Sequence, residues 1–500
     1  MGVTGIGGAA SLSLQAVLDI RNQLDDLQRQ LGTGRKTTTY AGLGLDRGLT
    51  VGLRSQLSAI AGYQQAITLV GVRLDLMQTA LSQFGSITQD NKMVILQSQF
   101  VLHGDTQTQD QSYSRGVLDQ LIGLLNTGAD GRYLFSGRSV DRSPVESTDR
   151  ILDGDGLRAG LKQVVDERRQ ADLGASGLGR IVIGAPTATS VSLAEDSVSP
   201  FGFKLVGATA TLAGATVSGP SGSPPSMSVD LGATNPNDGE TIRFSFTLPD
   251  GSSRDITLTA TASATPGDGQ FTIGATSAAT AANLQTALTQ ALGTLANTEL
   301  VAASAVAAGN DFFNTDASNP PQRVAGPPFD TATALVNGTA ADTVNWYLGD
   351  DATDDPRNTA IARVDQSLAV SYGVRANEHA LATAVQSFAV FAAVSFSGSD
   401  PNAQGQYAAL RQRVGAALVG VPNEQKLSDI QGQLAGAQSA LGSAKDRHQQ
   451  VNTALQNLLQ SVEGAPIEEV GAQILALQTS LQATLQTTAM LLQTNLLKYI

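Results

Sequence analysis

The chain of 500 residues has no cysteine, three histidines, one tryptophan (Trp346) and only 5% aromatic residues. Without cysteine it forms no disulfide and no thiolate metal site. His103, His379 and His448 are scattered at spacings that fit no zinc centre. Positive charge is also short. The net charge is −13 and there is no basic stripe, which argues against a nucleic-acid partner. Long apolar runs are missing too, and no window reads as a transmembrane helix, so no membrane partner is expected. Met1 to Ser11 lacks the basic start and apolar core of a secretory signal peptide. The expectation is a cytoplasmic protein, or one that leaves the cell by another route.

Catalytic groupings are equally scarce. Gly42-Leu-Gly44-Leu-Asp-Arg-Gly48 misses the dinucleotide fingerprint by one residue and opens no βαβ unit. Asp350-Asp351-Ala-Thr-Asp354-Asp355 lacks the glycine and terminal glutamate of a calcium loop and reads as a solvated acidic turn. Arg168-Arg169 beside Asp166 and Glu167 reads as a helix surface. No nucleophile, base and orienter come together, so the chain reads as a non-enzyme with no cofactor and no metal.

What the sequence does contain is helical periodicity at its two ends. In the C-terminal stretch, Ile467, Val470, Ile474, Leu477, Leu481, Leu485, Ala489, Leu492 and Leu496 recur at steps of 3 or 4, the repeat of one helix face. No charged residue occurs from Val470 to Leu497, and the other face carries Gln and Thr. A neutral polar face suits a helix surrounded by protein, where a charge would be costly to desolvate. Near the start, Val17, Ile20, Leu24, Leu27 and Leu31 give a 3-4-3-4 seam, ended by Gly32 and Gly34. Two charge-poor, heptad-like ends are natural partners.

Between them the pattern predicts helices, a β insert, then helices. One long helix carries Leu53, Leu57, Ile60, Ile67, Leu74 and Leu81 on one face, with interruptions near Gly85, and runs to about 103. A second spans roughly 108–126. Gly128-Ala-Asp-Gly131 turns into a short strand. From 180 to 345, Ala, Thr, Ser, Gly and Val dominate, and strands are predicted at 189–193, 201–205, 227–231 and 271–273. The clearest hairpin is 241–248, the turn Pro249-Asp250-Gly251, then 255–260, with Ile242, Phe244, Phe246 and Leu248 on one face. A helix interrupts at about 276–296. Helix returns at about 357–397. The best heptad follows at about 423–461, capped by Asn423: Leu427, Ile430, Leu434, Ala437, Leu441, Ala444, His448, Val451, Leu455 and Leu458. His448 in that seam reads as tolerated rather than register-setting.

The expected fold class is α+β: a long helical coiled-coil rod of paired terminal segments with a mostly β inserted outer domain. The expected divisions are 1–35 and 465–500 as assembly helices, 36–179 and 346–464 as the two parts of the rod, and 180–345 as the variable insert.

Three segments carry a resemblance. Gln28-Arg-Gln-Leu31-Gly-Thr-Gly34-Arg-Lys resembles the QLSTGKRI segment of flagellins and hook-associated proteins. Asp130-Gly-Arg-Tyr133-Leu-Phe-Ser-Gly137 is similar to the GxYLFAG segment of the hook–filament junction proteins (hook-associated protein 3), and Leu492-Gln-Thr-Asn-Leu496-Leu-Lys-Tyr499-Ile500 resembles their ending. The Asp-Asp-Pro that usually follows the first segment is replaced by Thr39-Tyr-Ala-Gly-Leu. The insert is nearer flagellin size.

The resemblance implies an extracellular structural subunit of the bacterial flagellum, exported through the flagellar type III apparatus without a cleaved signal. Its implied partners are other copies, the hook protein, flagellin, other hook-associated proteins, and an export chaperone on the C-terminal helix. The assembly residues would be Val17, Ile20, Leu24, Leu27, Leu31, Leu427, Ile430, Leu434, Leu441, Val451, Leu455, Ile474, Leu477, Leu481, Leu485, Leu492 and Leu496. The segments favour the junction protein, with filament flagellin the close alternative. An adhesin using the insert as a binding module is more distant, because Trp346, Tyr347 and Phe312 are too few and too separated for a sugar platform. A protease in the insert is disfavoured, since residues 180–345 contain no His.

Overall fold

The computed structural model of the protein describes residues 5–104, 106–316, 319–420 and 423–496. The fold is α+β. In chain order its elements begin with α1 (Gly5–Thr33), α2 (Arg47–Gln97), α3 (Gln109–Leu125), the small hairpin β1 (Gly128–Ala129) and β2 (Arg132–Tyr133), α4 (Thr148–Asp153) and α5 (Leu161–Leu173). The insert follows with β3 (Ile181–Ile183), β4 (Ser190–Glu195), β5 (Lys204–Ala210), β6 (Thr216–Ser221), β7 (Ser226–Asp230), β8 (Thr241–Thr247), β9 (Ser253–Thr261), β10 (Gln270–Thr272), α6 (Ser277–Leu295) and α7 (Val301–Phe313). After β11 (Gln322–Val324), β12 (Leu335–Asn337), β13 (Ile361–Arg363) and β14 (Ala369–Ser371) come α8 (His379–Ala393), α9 (Ala403–Val419), α10 (Leu427–Glu463) and α11 (Ile467–Leu496). The chain divides into two units: Met1–Val70 with Arg363–Val370 and Ser439–Ile500, and Gly71–Ala362 with Ser371–Gln438.

In the second unit the insert is built from two four-stranded sheets, ordered β3-β4-β7-β6 and β10-β9-β8-β5. Strand alternation drives it. Ile242, Phe244 and Phe246 of β8 are fully buried, with the intervening residues turned outward. Both sheets and α6 contribute to one core, including Val191, Leu193, Val229, Leu258, Leu284, Leu288 and Leu292. The β8–β9 hairpin closes through the Pro249-Asp250-Gly251 turn, where Gly251 takes φ +80°. Helix α6 continues through a π-helical turn, Ala296–Leu300, into α7. By length and composition this 37-residue run could cross a membrane, but its apolar stripe is spent on the core.

Helix α3 begins at a capping box, with Thr108 accepting from the Gln111 amide and Gln111 from the Thr108 amide. Val117, Leu118, Leu121, Ile122 and Leu125 are all buried. The β1–β2 turn places Asp130 and Gly131 at positive φ, the geometry of a type I′ hairpin. Beyond it Phe135 is buried, its carbonyl accepts from the Ala376 amide, and Ser136 pairs with Arg375 as an antiparallel bridge. Gly137 at φ +62° lies so close to Asp350 that a Cβ would stand 2.8 Å from the aspartate Cβ.

Several expectations are corrected. Helix α2 runs without a break through Gly85. That glycine makes room for a neighbour, since a Cβ there would come within 2.9 Å of Leu427 Cδ2. Residues 357–378 are not helix: Pro356–Thr359 is a 3-10 turn, followed by β13 and β14. Asn423 does not cap α10, which starts at Leu427; Asp429 accepts from the Lys426 amide at 2.8 Å. Gly42–Gly48 belongs to a 3-10 helix, Tyr40–Asp46, and the start of α2.

The charged segments differ too. Glu167 and Arg168 are buried, not a helix surface. Arg168 donates to Asp172 at 2.9 Å and to Asp311 at 2.7 Å, over the ring of Phe201. Burial pushes the Asp311 carboxyl up to about 6 despite Arg168, aided by the nearby Asp172 charge. Asp350 and Asp354 are not a solvated turn, because Arg138 and Arg375 both pair with both of them. Those arginines hold the Asp354 carboxyl well below the usual range. Asp355 caps the following 3-10 turn. Among the described residues no cluster of three or more His, Asp or Glu side chains could hold a metal ion.

Candidate assembly interface

The first unit brings the two ends of the chain together. The Ala465 amide donates to the Gly34 carbonyl at 3.0 Å and the Lys36 amide to the Glu463 carbonyl at 2.8 Å. This joins the end of α1 to the start of α11, and the two helices pack along each other, so they run antiparallel. Leu27 packs on Ala465, Val470 and Ile474.

Side chains fasten the same junction. Arg54 makes a two-pronged pair with Glu463, at 3.0 and 2.7 Å, while its guanidinium lies over the Tyr40 ring. Lys36 Nζ donates to the Ser461 and Val462 carbonyls, where a cation complements the negative end of α10.

The seam positions sort clearly by exposure. Val17, Ile20, Leu24 and Leu27 are half-buried on α1, whereas Leu31 is 41% exposed and Gln30 takes the inner place. On α11, Val470 and Ile474 are buried and Leu477 and Leu481 half-buried. The inner row then continues through Thr484 and Thr488, in steps of 4-3-4-3-4, so Leu485 is 50% exposed and off the seam. The side chains of Leu492 and Leu496 lie outside the described residues, as does the segment 497–500.

On α10, Ile430, Leu434, Leu441 and Ala444 are buried and Leu427 half-buried. The heptad slips after His448. The less exposed positions become 452, 455 and 459, which keeps Leu455 half-buried and leaves Val451 40% exposed. A straight helix drifts against a strict seven-residue repeat, and His448 marks where the drift is taken up. Its Nε2 bonds to the Val364 carbonyl at 2.7 Å and its ring stacks on Tyr63. It is buried with a partner, not merely tolerated.

The terminal pair therefore keeps one row against itself and leaves much of its apolar surface outside. Leu12, Leu14 and Leu18 of α1, and Ile467, Leu475 and Leu485 of α11, are all exposed. No described residue of α1 is buried, and on α11 only Val470 and Ile474 are. The rest of α11 beyond Glu469 is neutral. Chemically such a surface can exclude water and pack.

Residues 8–139 match the family described as the bacterial flagellin N-terminal helical region. No curated protein matches the chain. The matched range runs through α1, α2 and α3 to just past the β1–β2 hairpin, and so contains both the 28–36 and the 130–137 segments. That family is structural, polymerises with other axial proteins and is part of the extracellular flagellum. The match covers 132 of the 500 residues, so it is the N-terminal helical part of the chain that is similar to bacterial flagellin.

Proposed function

We propose that the chain is the hook–filament junction subunit of a flagellum, polymerising through α1 and α11. The observation that carries this reading is the half-exposed helix pair at the joined ends of the chain, with α11 free of charge beyond Glu469. Fully burying one exposed leucine is worth roughly 1.5–3 kcal/mol, so the leucines at 12, 14, 18, 475 and 485 hold a reserve of order 10 kcal/mol that only neighbours can release. An assembly of repeated, non-closing contacts supplies such neighbours. The full seam set from Val17 to Leu496 belongs to this proposal. So do export through the type III apparatus without signal cleavage and a cytoplasmic chaperone that covers α11 before export.

The GRYLFSG segment at 131–137 and the Leu-Lys-Tyr-Ile ending favour the junction protein. The size of the 180–345 insert favours the second reading, a filament flagellin. A deletion strain separates them: bare hooks with flagellin spilled into the medium for the junction protein, hooks with short or weakened filaments for a flagellin. Electron microscopy of the concentrated protein tests the shared core of both readings. A chain that never polymerises and is never found on a flagellum would overturn both.

A further inference from the structure

Arg73, on α2 in the second unit, stands apart from the other arginines. Its Nε is buried with no hydrogen-bond partner, and Nη1 reaches only the Tyr372 hydroxyl, at 3.5 Å. Arg357 and Arg375 also have one unsatisfied nitrogen each, but both pair with carboxylates. Among the described residues Arg73 makes no ion pair. It lines a small cleft of about 30 Å³ with Arg132, Tyr133, Met77, Tyr372 and Gly373. Arg132 is exposed at its edge and likewise makes no ion pair among the described residues. No acidic residue lines the cleft.

Two arginines and two tyrosines line this space, and no counter-charge does. Arg73 as a whole is half-buried, but a guanidinium N–H held away from water with no acceptor is costly, and guanidinium is the group best shaped to receive a carboxylate on two prongs. The space holds about two water-sized groups, which suits a single carboxylate head entering from outside. We infer that the cleft of Arg73, Arg132 and Tyr372 receives an acidic side chain of a second copy of this chain. A copy carrying 44 acidic against 31 basic residues meets such a cleft more often with a carboxylate than with a cation. This occupant rests on the polymerising reading above; the cleft's preference for a carboxylate does not.

The test compares the full-length chain with R73Q, R132Q and the double variant. Light scattering against protein concentration should show the double variant needing about ten times more protein for half-assembly, with a weaker dependence on salt. Circular dichroism melting of the free chain should be unchanged or slightly raised, because an uncompensated charge has gone. In parallel, the Arg73 Nε–H resonance of the wild-type monomer is followed during titration with sodium acetate, with sodium chloride as control. A saturable shift with acetate is expected. No such shift overturns the site, whatever the assembly result. A shift together with unchanged assembly of R73Q/R132Q makes the cleft a free-anion site and overturns the second copy as its occupant. Wild-type chain that never assembles sinks the polymerising reading and with it this occupant, and leaves the acetate titration to decide the carboxylate site.

Discussion

The insert and the terminal helix pair solve the same problem in opposite ways. In the insert, two sheets and α6 close on each other, and Phe244, Phe246, Leu258, Leu284 and Leu288 are wholly removed from water. In the pair, α1 and α11 offer each other a single row, and burial stops half-way beyond the first two turns of α11. A sheet gives a whole face to its core, whereas two helices share only a stripe. The insert core is thus complete within one copy and the pair is not. Substitution should expose the contrast. Phe244→Ala is expected to cost about 3–5 kcal/mol in urea unfolding, read by the buried Trp346. Leu24→Ala, at a half-buried seam position, should cost well under half of that by far-ultraviolet circular dichroism. Equal losses would erase the distinction between the two regions.

A smaller effect sharpens the comparison from the insert side. Asp311 and Asp172 share Arg168 in a buried site, and the Asp311 carboxyl stands at about 6, above the 3.8 of a free side chain. Its folded form therefore holds a proton that the unfolded chain releases near pH 4. This contribution is fully present below pH 4 and is lost as pH rises towards 6. A shift of this size corresponds to about 2–3 kcal/mol. Asp311→Asn should flatten the fall in stability between pH 4 and 6, followed by urea unfolding across that range. An unchanged slope would show that Arg168 keeps both carboxylates ionised. Among the described residues the terminal pair has no comparable buried charge, so no such slope is expected from it.

Local periodicity made much of this legible. The β8–β9 hairpin follows from alternation and a Pro-Asp-Gly turn, and the inward rows of α1 and the first half of α11 follow from a 3-4 repeat. What depends on distant partners did not show. Arg168 reads as surface because nothing near it announces Asp311, which lies 143 positions on. Asp350 and Asp354 read as solvated because Arg138 is more than 200 residues earlier. The register slips at Val451 and Leu485 arise from helix geometry, which a count of leucines does not track. The segment 357–378 contains helix-compatible residues, but Val364 and Asp365 bond instead to the Leu368 carbonyl in a turn that meets His448.

At the junction of the pair, the Arg54–Glu463 bond is partly exposed, with the arginine side chain 39% accessible. Pairs of that kind are worth up to about 1 kcal/mol. Arg54→Gln should lower helix stability by no more than this in circular dichroism melting, and less still in high salt. A loss several times larger would mean that the junction, rather than neighbouring copies, holds the terminal helices in place.

The smallest effect on the free chain is expected at Leu485, and it is the most informative. Its side chain is half in solvent and off the inner row, so Leu485→Gln should change the stability of the free chain by less than about 0.5 kcal/mol. If neighbouring copies cover this face, the same substitution removes apolar area from every repeat of the contact. The concentration needed for polymerisation, read by light scattering and electron microscopy, should then rise severalfold while melting stays put. Ile474→Gln, on the inner row of the same helix, should do the reverse and lower melting first. Identical behaviour of the two variants would mean that the outer face of α11 has no partner, and the half-finished burial of the terminal pair would need another explanation.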